Sequence, residues 1–323
     1  MTTIKNIPAR AAASPASPLV SVLIPIYNCE RYLAECLDSI VAQDFGDFEI
    51  LISDDGSTDH SLKLVKAYAA KDARIRWWQN PRHLGMASNH NACLRAARGE
   101  LIKFVHADDK LLQPSVVTRM VKILEADPAV SLVASGAFII DAQARVIRRE
   151  NRFRHSGSWD GPAAAVRCLE QNGNLIGEPS RTLFRKAQAA RGFDERYQQT
   201  LDLEMWFHLL AQGRFVYLAE PLVGYRIHPG QATATHRRHG CGEDEHLMLL
   251  TDYYRQPWLR QHATRRMWFK QIYYLEKNYG PRAAVLTAAM QAELSPAWHA
   301  IYWAEHKFLR PLKKIAEKLT PAK

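Results

Sequence analysis

The chain has no run near the roughly 18 to 20 consecutive apolar residues that a bilayer-crossing helix needs, and its first apolar stretch, Leu19 to Tyr27, is interrupted by Pro25. The expectation is a protein that is neither integral to a membrane nor secreted. Its five cysteines, Cys29, Cys36, Cys93, Cys168 and Cys241, are odd in number and form no C-x-x-C. That pattern suggests neither a disulfide framework nor a zinc site, and fits buried thiols in a reducing compartment. No G-x-G-x-x-G follows the first apolar run, which argues against a NAD enzyme. No glycine-rich phosphate loop is visible either, which weakens a nucleotidyl or phosphoryl transferase, and there is no internal repeat.

What is there is ordinary globular composition with a formal net charge of +10, so an anionic partner is expected: nucleic acid, acidic lipid or a phosphorylated small molecule. Residues 1 to 17, rich in Ala, Ser and Pro, read as a flexible lead. From Val20 to Asn28 a nearly continuous apolar run reads as a strand covered on both faces. Leu33, Cys36, Leu37, Ile40 and Val41 then follow helical spacing, and Phe48 to Ser53 is a second strand. Helices at about Asp59 to Ala70 and Ala87 to Arg98 alternate with strands at Ile75 to Trp78 and Leu101 to Val105. A fourth helix starting at Pro114 leads to a strand at Val130 to Ala134. The alternation predicts an α/β fold, a Rossmann-like, mostly parallel sheet flanked by helices.

Two of these strands end in acids. Phe48 to Ile52 runs into Ser53-Asp54-Asp55-Gly56-Ser57-Thr58-Asp59, and Leu101 to Val105 runs into His106-Ala107-Asp108-Asp109. Polar groups at the carboxyl ends of parallel strands line the crevice where open α/β sheets bind ligands. Paired carboxylates there suit Mg²⁺ or Mn²⁺ carrying the phosphates of a nucleotide. A turn with a helix cap explains Asp54 and Asp55 more plainly, and an exposed turn explains Asp108 and Asp109.

Four segments in order, Val20 to Asn28, Asp54 to Asp59, Leu84-Gly85-Met86-Ala87-Ser88-Asn89-His90-Asn91 and His106 to Asp109, resemble the inverting GT-A glycosyltransferases of family 2, over about Leu19 to Thr235. Gly177-Glu178-Pro179-Ser180, Leu201 to Trp206 and Tyr225 to Gln231 resemble the acceptor side of a bacterial branch of surface-polysaccharide type. The resemblance implies a catalytic domain at 18–240, with a nucleotide-sugar half at about 18–135 and an acceptor half at about 136–240. It implies transfer of a sugar from a nucleotide diphosphate, a UDP-sugar by preference, to a saccharide hydroxyl with the help of a divalent metal. Pro25, Tyr27, Asp54 and Asp55 would surround the nucleotide, Asp55 accepting a uracil N–H. Asp108 would lie near the ribose or donor sugar, and Asp109 would hold the metal with His228 as a distal contact. Asp202 would be the catalytic base. It stands about 200° from Glu204 around its helix, so only one of the two can face the site, and only the family position selects Asp202. Glu178 would line the acceptor pocket and Arg226, with Arg237 and Arg238, would meet the diphosphate. His106 receives no role.

Beyond about 241 the pattern turns helical, aromatic and basic: Trp258, Trp268, Tyr273, Tyr274, then Trp298, Phe308 and Leu312 among Lys307, Arg310, Lys313 and Lys314. An anionic membrane surface on the cytoplasmic side, with a lipid-linked acceptor, accounts for this extension, and so does packing on the catalytic domain. A nucleic-acid binder needs no acids at strand ends, and the sequence is read against it.

Overall fold

A computed structural model describes residues 17–231, 233, 242, 244–292 and 294. The expected alternation is present: β1 (Val20–Ile26), α1 (Glu30–Val41), β2 (Phe48–Asp54), α2 (Ser61–Ala69), β3 (Ile75–Gln79), α3 (Met86–Ala96) and β4 (Leu101–Phe104). A two-residue β5 (Lys110–Leu111) precedes α4 (Val116–Ala126). The fifth expected strand runs six residues further than its apolar start, as β6 (Val130–Ile140).

The second half is β7 (Val146–Glu150), β8 (Gly157–Trp159), α5 (Gly161–Gln171), β9 (Thr182–Arg185), α6 (Leu201–Leu210) and the long β10 (Arg214–Arg226). A 3-10 turn, Pro179–Arg181, leads into β9. Among the described residues four helices follow: α7 (Glu245–Tyr253), α8 (Pro257–His262), α9 (Arg265–Tyr279) and α10 (Ala284–Ala292). None of the described helices is long and apolar enough to cross a membrane.

The strands form one sheet in the order β3-β2-β1-β4-β9-β6-β10-β5, with β7 on β6 and β8 on β10. β3, β2, β1 and β4 are parallel, as the βαβ pattern demands. The other half is mixed: β9 runs antiparallel between β4 and β6, and β10 is parallel to β6 but antiparallel to β5 and β8. The register sets Asp54 beside Ile26, and Phe104 beside Leu23, so both acid-bearing strand ends flank the end of β1.

Side chains alternate between two apolar layers. Val20, Val22, Ile24 and Ile26 join Leu33, Leu37 and Ile40 of α1 and Val117, Met120 and Val121 of α4. On the other face Leu23, Leu51 and Ile102 join α3, α5, α6 and the C-terminal helices, where Leu249, Met267, Trp268 and Leu275 are buried. Trp268 and the partly buried Trp258 therefore pack on the domain, whereas Tyr273 is exposed. Arg237, Arg238 and the basic stretch after Leu294 lie outside the described residues. Cys36, Cys93 and Cys168 are buried free thiols and Cys29 is half-buried, as composition suggested.

Candidate active site

The Asp54-Asp55-Gly56 turn leaves β2 with both carboxylates buried. Gly56 sits at φ +84°, a conformation that side chains disfavour. Asp54 accepts from the Ser57 N–H (3.2 Å) and from Gln79 Nε2 (2.9 Å). Asp55 organises the segment 80–85. It accepts from Asn80 Nδ2, Leu84 N and Gly85 N, each at 2.9 Å, and His83 Nδ1 lies 3.0 Å from Oδ2. A carboxylate has about four acceptor directions, and these four donors use them. His83 is the exposed one, and its ring lies 4.5 Å from that of Tyr27, itself half exposed. Pro25 is partly buried in β1.

The second acid pair leaves β4. Asp109 is buried, with Oδ1 accepting the Arg226 N–H at 2.9 Å, because the β5–β10 pairing brings the end of β10 alongside. Its Oδ2 is buried with no partner. Burial and the neighbouring Asp108 charge push the Asp109 carboxyl well above its usual range. For Asp108 burial works the same way, but His228, with Nε2 3.2 Å from Oδ2, together with the nearby His106 and a backbone donor outweighs it and holds the group low. His106, Asp108 and Asp109 each offer a ligand atom, all within 4.8 Å of one another. Carboxylate oxygens, one a buried orphan, beside an imidazole form a donor set that fits a divalent cation.

Asp202 sits in the first turn of α6 and is partly exposed. Its Oδ2 accepts from Asn174 Nδ2 at 2.8 Å, and Oδ1 from the Leu203 N–H at 2.7 Å. Burial first, then the Glu178 charge, push its pKa up to about 7. Glu178 is tied to Arg152 (2.9 Å) and Arg181 (2.7 Å), which outweigh its own burial and keep it low.

The segment 174–181 spans the interval between Asp202 and the acid doublet. At one end Asn174 holds Asp202. At the other, Ser180 Oγ accepts the His106 N–H at 2.9 Å. Glu178, in the same segment, raises the proton affinity of Asp109 and of Asp202 by its charge. The first acid turn is fixed to the end of β1, where Asn28 Oδ1 accepts the Thr58 N–H at 2.8 Å.

Two expected residues are not brought there as read. The Arg226 guanidinium does not point to open space for a diphosphate. It is buried, donating from Nε to Asp108 O (2.7 Å), from Nη1 to Asp141 O (3.0 Å) and from Nη2 to Glu35. Its work is to brace the doublet's backbone. Glu204 lies on the other side of α6, gripped by both oxygens by Arg191 Nη2 (2.7 and 2.8 Å) and by Tyr253 OH (2.7 Å), so it is no reserve base. Three contributors lacked any local signal. Arg152 and Arg181 set the charge around Asp202, and Glu245 accepts the N–H groups of Gln198, Gln199 and Thr200 at 2.6 to 3.0 Å, fixing the entry to α6. A cavity of about 810 Å³ between Asn91, Arg98, Arg185 and Phe193 lies toward the opposite end of β4, away from these acids.

This fold, with acids at the carboxyl ends of its parallel strands, is that of the GT-A glycosyltransferases. Residues 21–187 match the family described as Glycosyl transferase family 2, and the chain belongs to that family. It is 33% identical to the uncharacterized protein MT1568 of Mycobacterium tuberculosis over 220 residues, covering 65% of this chain and 68% of that one. Among solved structures it resembles S. aureus TarS 1-349 in complex with UDP-GlcNAc, with TM-score 0.63, 18% identity, and 82% and 74% of the two chains covered. It also resembles the mannosyltransferase PcManGT of Pyrobaculum calidifontis in complex with GDP-Man and Mn²⁺, with TM-score 0.57, 21% identity, and coverage of 95% and 86%.

Proposed function

We propose that this glycosyltransferase is inverting and metal-dependent, and moves a sugar from a nucleotide-diphosphate donor, a UDP-sugar by preference, to a hydroxyl of a lipid-linked saccharide acceptor in surface-polysaccharide synthesis. The observation that carries it is the segment 174–181, which links a carboxyl group poised at about pKa 7 to a cation-suited doublet. An inverting displacement needs one base opposite the leaving diphosphate, and a base titrating near the working pH is best placed to take the hydroxyl proton. Asp202 takes that proton, while Asn174 orients its carboxylate. The cation, when bound by Asp109 with Asp108 and His228 beside it, supplies neutralising charge to the departing diphosphate.

At the nucleotide end Pro25, Tyr27, Asp54 and Asp55 receive the base and ribose side, and a uracil N–H takes the place of the exposed His83 on Asp55. Glu178, tied to two arginines, shapes the acceptor side through its charge. The interleaved aromatic and basic residues after Leu294 support docking on an anionic membrane surface from the cytoplasmic side, where a lipid-linked acceptor would lie. The test is metal-dependent hydrolysis and transfer across a panel of nucleotide sugars. Asp109→Ala should weaken nucleotide binding, and Asp202→Ala should keep binding and lose transfer. Loss of nucleotide binding in Asp202→Ala, or full transfer by it, would remove the assignment.

A further inference from the structure

Resting on the reading of Asp108 and Asp109 as a cation site, we infer that His106 is a third ligand acting through Nδ1, and that His90 is the positioning residue that holds it in the ligating tautomer. The site then favours cations that take nitrogen, such as Co²⁺ and Mn²⁺, over Mg²⁺.

The tautomers follow from a chain of contacts that begins at a backbone carbonyl. His90 Nδ1 lies 2.8 Å from Met86 O, and a carbonyl only accepts, so Nδ1 carries the proton. The His90 ring is buried, stacked on Phe104 at 5.0 Å and edge-on to Phe193 at 5.4 Å. Apolar walls on these faces favour the neutral ring, which leaves Nε2 a bare acceptor. His106 Nε2 lies 3.1 Å from it and therefore donates. A neutral imidazole protonated at Nε2 has its lone pair on Nδ1, the one ring nitrogen left for the doublet.

The spacing agrees with an ion between the groups rather than a direct contact. The His106, Asp108 and Asp109 ligand atoms fall within 4.8 Å. Among the described residues neither carboxylate makes an ion pair or hydrogen bond with a His106 nitrogen; Asp108 pairs with His228 instead. Two bonds of about 2.1 Å to a shared ion reach at most about 4.2 Å, so ligand atoms at the 4.8 Å limit draw in by about half an ångström when the ion binds. Asp109 Oδ2, buried and unpartnered, faces the same need. The Ser180 Oγ contact to the His106 N–H, at 2.9 Å, fixes the backbone from which the ring projects. Mg²⁺ asks for oxygen ligands, whereas the later divalent metals gain from an imidazole, so the third ligand decides which ions the site prefers.

The experiment titrates the full chain, saturated with UDP, with Co²⁺ and with Mg²⁺ by calorimetry, and follows the visible absorption of bound Co²⁺. His106→Ala should lower Co²⁺ affinity about tenfold or more and change Mg²⁺ affinity far less, so the Co²⁺ to Mg²⁺ ratio falls. His90→Ala should move the ratio the same way. His90→Gln, whose side-chain carbonyl can accept from His106 Nε2, should restore it, and thermal unfolding of each variant separates misfolding from lost selectivity. An unchanged ratio in His106→Ala, with binding of both ions abolished by Asp109→Ala, overturns the inference and leaves the doublet's role standing. A wild-type chain that binds neither ion overturns both.

Discussion

The two halves of the sheet hold their carboxylates by different means. In the parallel half Asp54 and Asp55 are satisfied by backbone N–H groups and amide side chains of the adjacent turn and strand. In the mixed half Glu150 and Glu178 are satisfied by Arg152 and Arg181, while Asp202 receives only one amide and the N–H of the residue after it. Neutral donors fix a carboxylate where it stands. Burial raises the proton affinity of Asp202, and guanidinium groups paired with Glu178 leave beside it a negative neighbour that raises it further. One half is built to recognise, and the other is built to hold a group near its titration point.

The sharpest way to break that contrast is to exchange a residue of each kind. Asp202→Asn should reduce transfer by roughly 10²- to 10⁴-fold with nucleotide affinity intact, whereas Asp55→Asn, which removes acceptor capacity from the 80–85 segment, should act chiefly on nucleotide affinity. Steady-state kinetics with direct binding measurements distinguish the two. Next in size is stability. Arg181 is buried against Glu150 and Glu178, so Arg181→Met should cost about 3 to 5 kcal/mol by leaving uncompensated buried charge. Arg76, more exposed in its pair with Glu49, should cost about 0 to 1 kcal/mol on the same substitution. Chemical denaturation of the two variants checks both values, and equal losses would erase the distinction between the halves.

The parallel half was also the legible one. Its helices carry apolar residues at helical spacing, its strands are short apolar runs, and acids after Ile52 and Val105 mark the strand ends without any long-range information. The mixed half resists because its signals are non-local. β7 is Val-Ile-Arg-Arg-Glu, mostly exposed, and β9 is four residues long, so neither has a usable period. Arg181 reaches back 31 residues to Glu150, and Glu245 reaches back 45 to 47 residues to the entry of α6. Arg226 misleads for the same reason: arginine suits phosphate, but nothing nearby in sequence reveals that Glu35 claims its guanidinium. The choice of Asp202 rests on family position, since helical spacing cannot choose between it and Glu204.

Glu245 gives a smaller effect that tests whether the C-terminal helices serve the site. Its buried carboxylate accepts three successive N–H groups just before α6, where an anion is also favoured by the helix dipole. Glu245→Gln should lower stability by about 1.5 to 3 kcal/mol and reduce transfer more than nucleotide binding, because the segment it anchors carries Asp202. Amide exchange at residues 198–200 should rise in step. A variant with lowered transfer and unchanged exchange there would disconnect the helices from the site.

The smallest effects come from protons. Asp202 is a carboxyl raised to about 7 in the folded chain, from about 3.9 when unfolded. Between those values the folded state binds the proton that the unfolded state has released, so folding stability falls as pH rises through this window and levels off above about 7. Activity should run the other way: with the ionised carboxylate as the proposed base, transfer should fall about tenfold per unit as pH drops below about 7. Asp202→Asn removes the titrating group. Its melting temperature should exceed that of the wild type at pH 8, and the gain should vanish below about pH 3, where the wild-type carboxyl is protonated in both states.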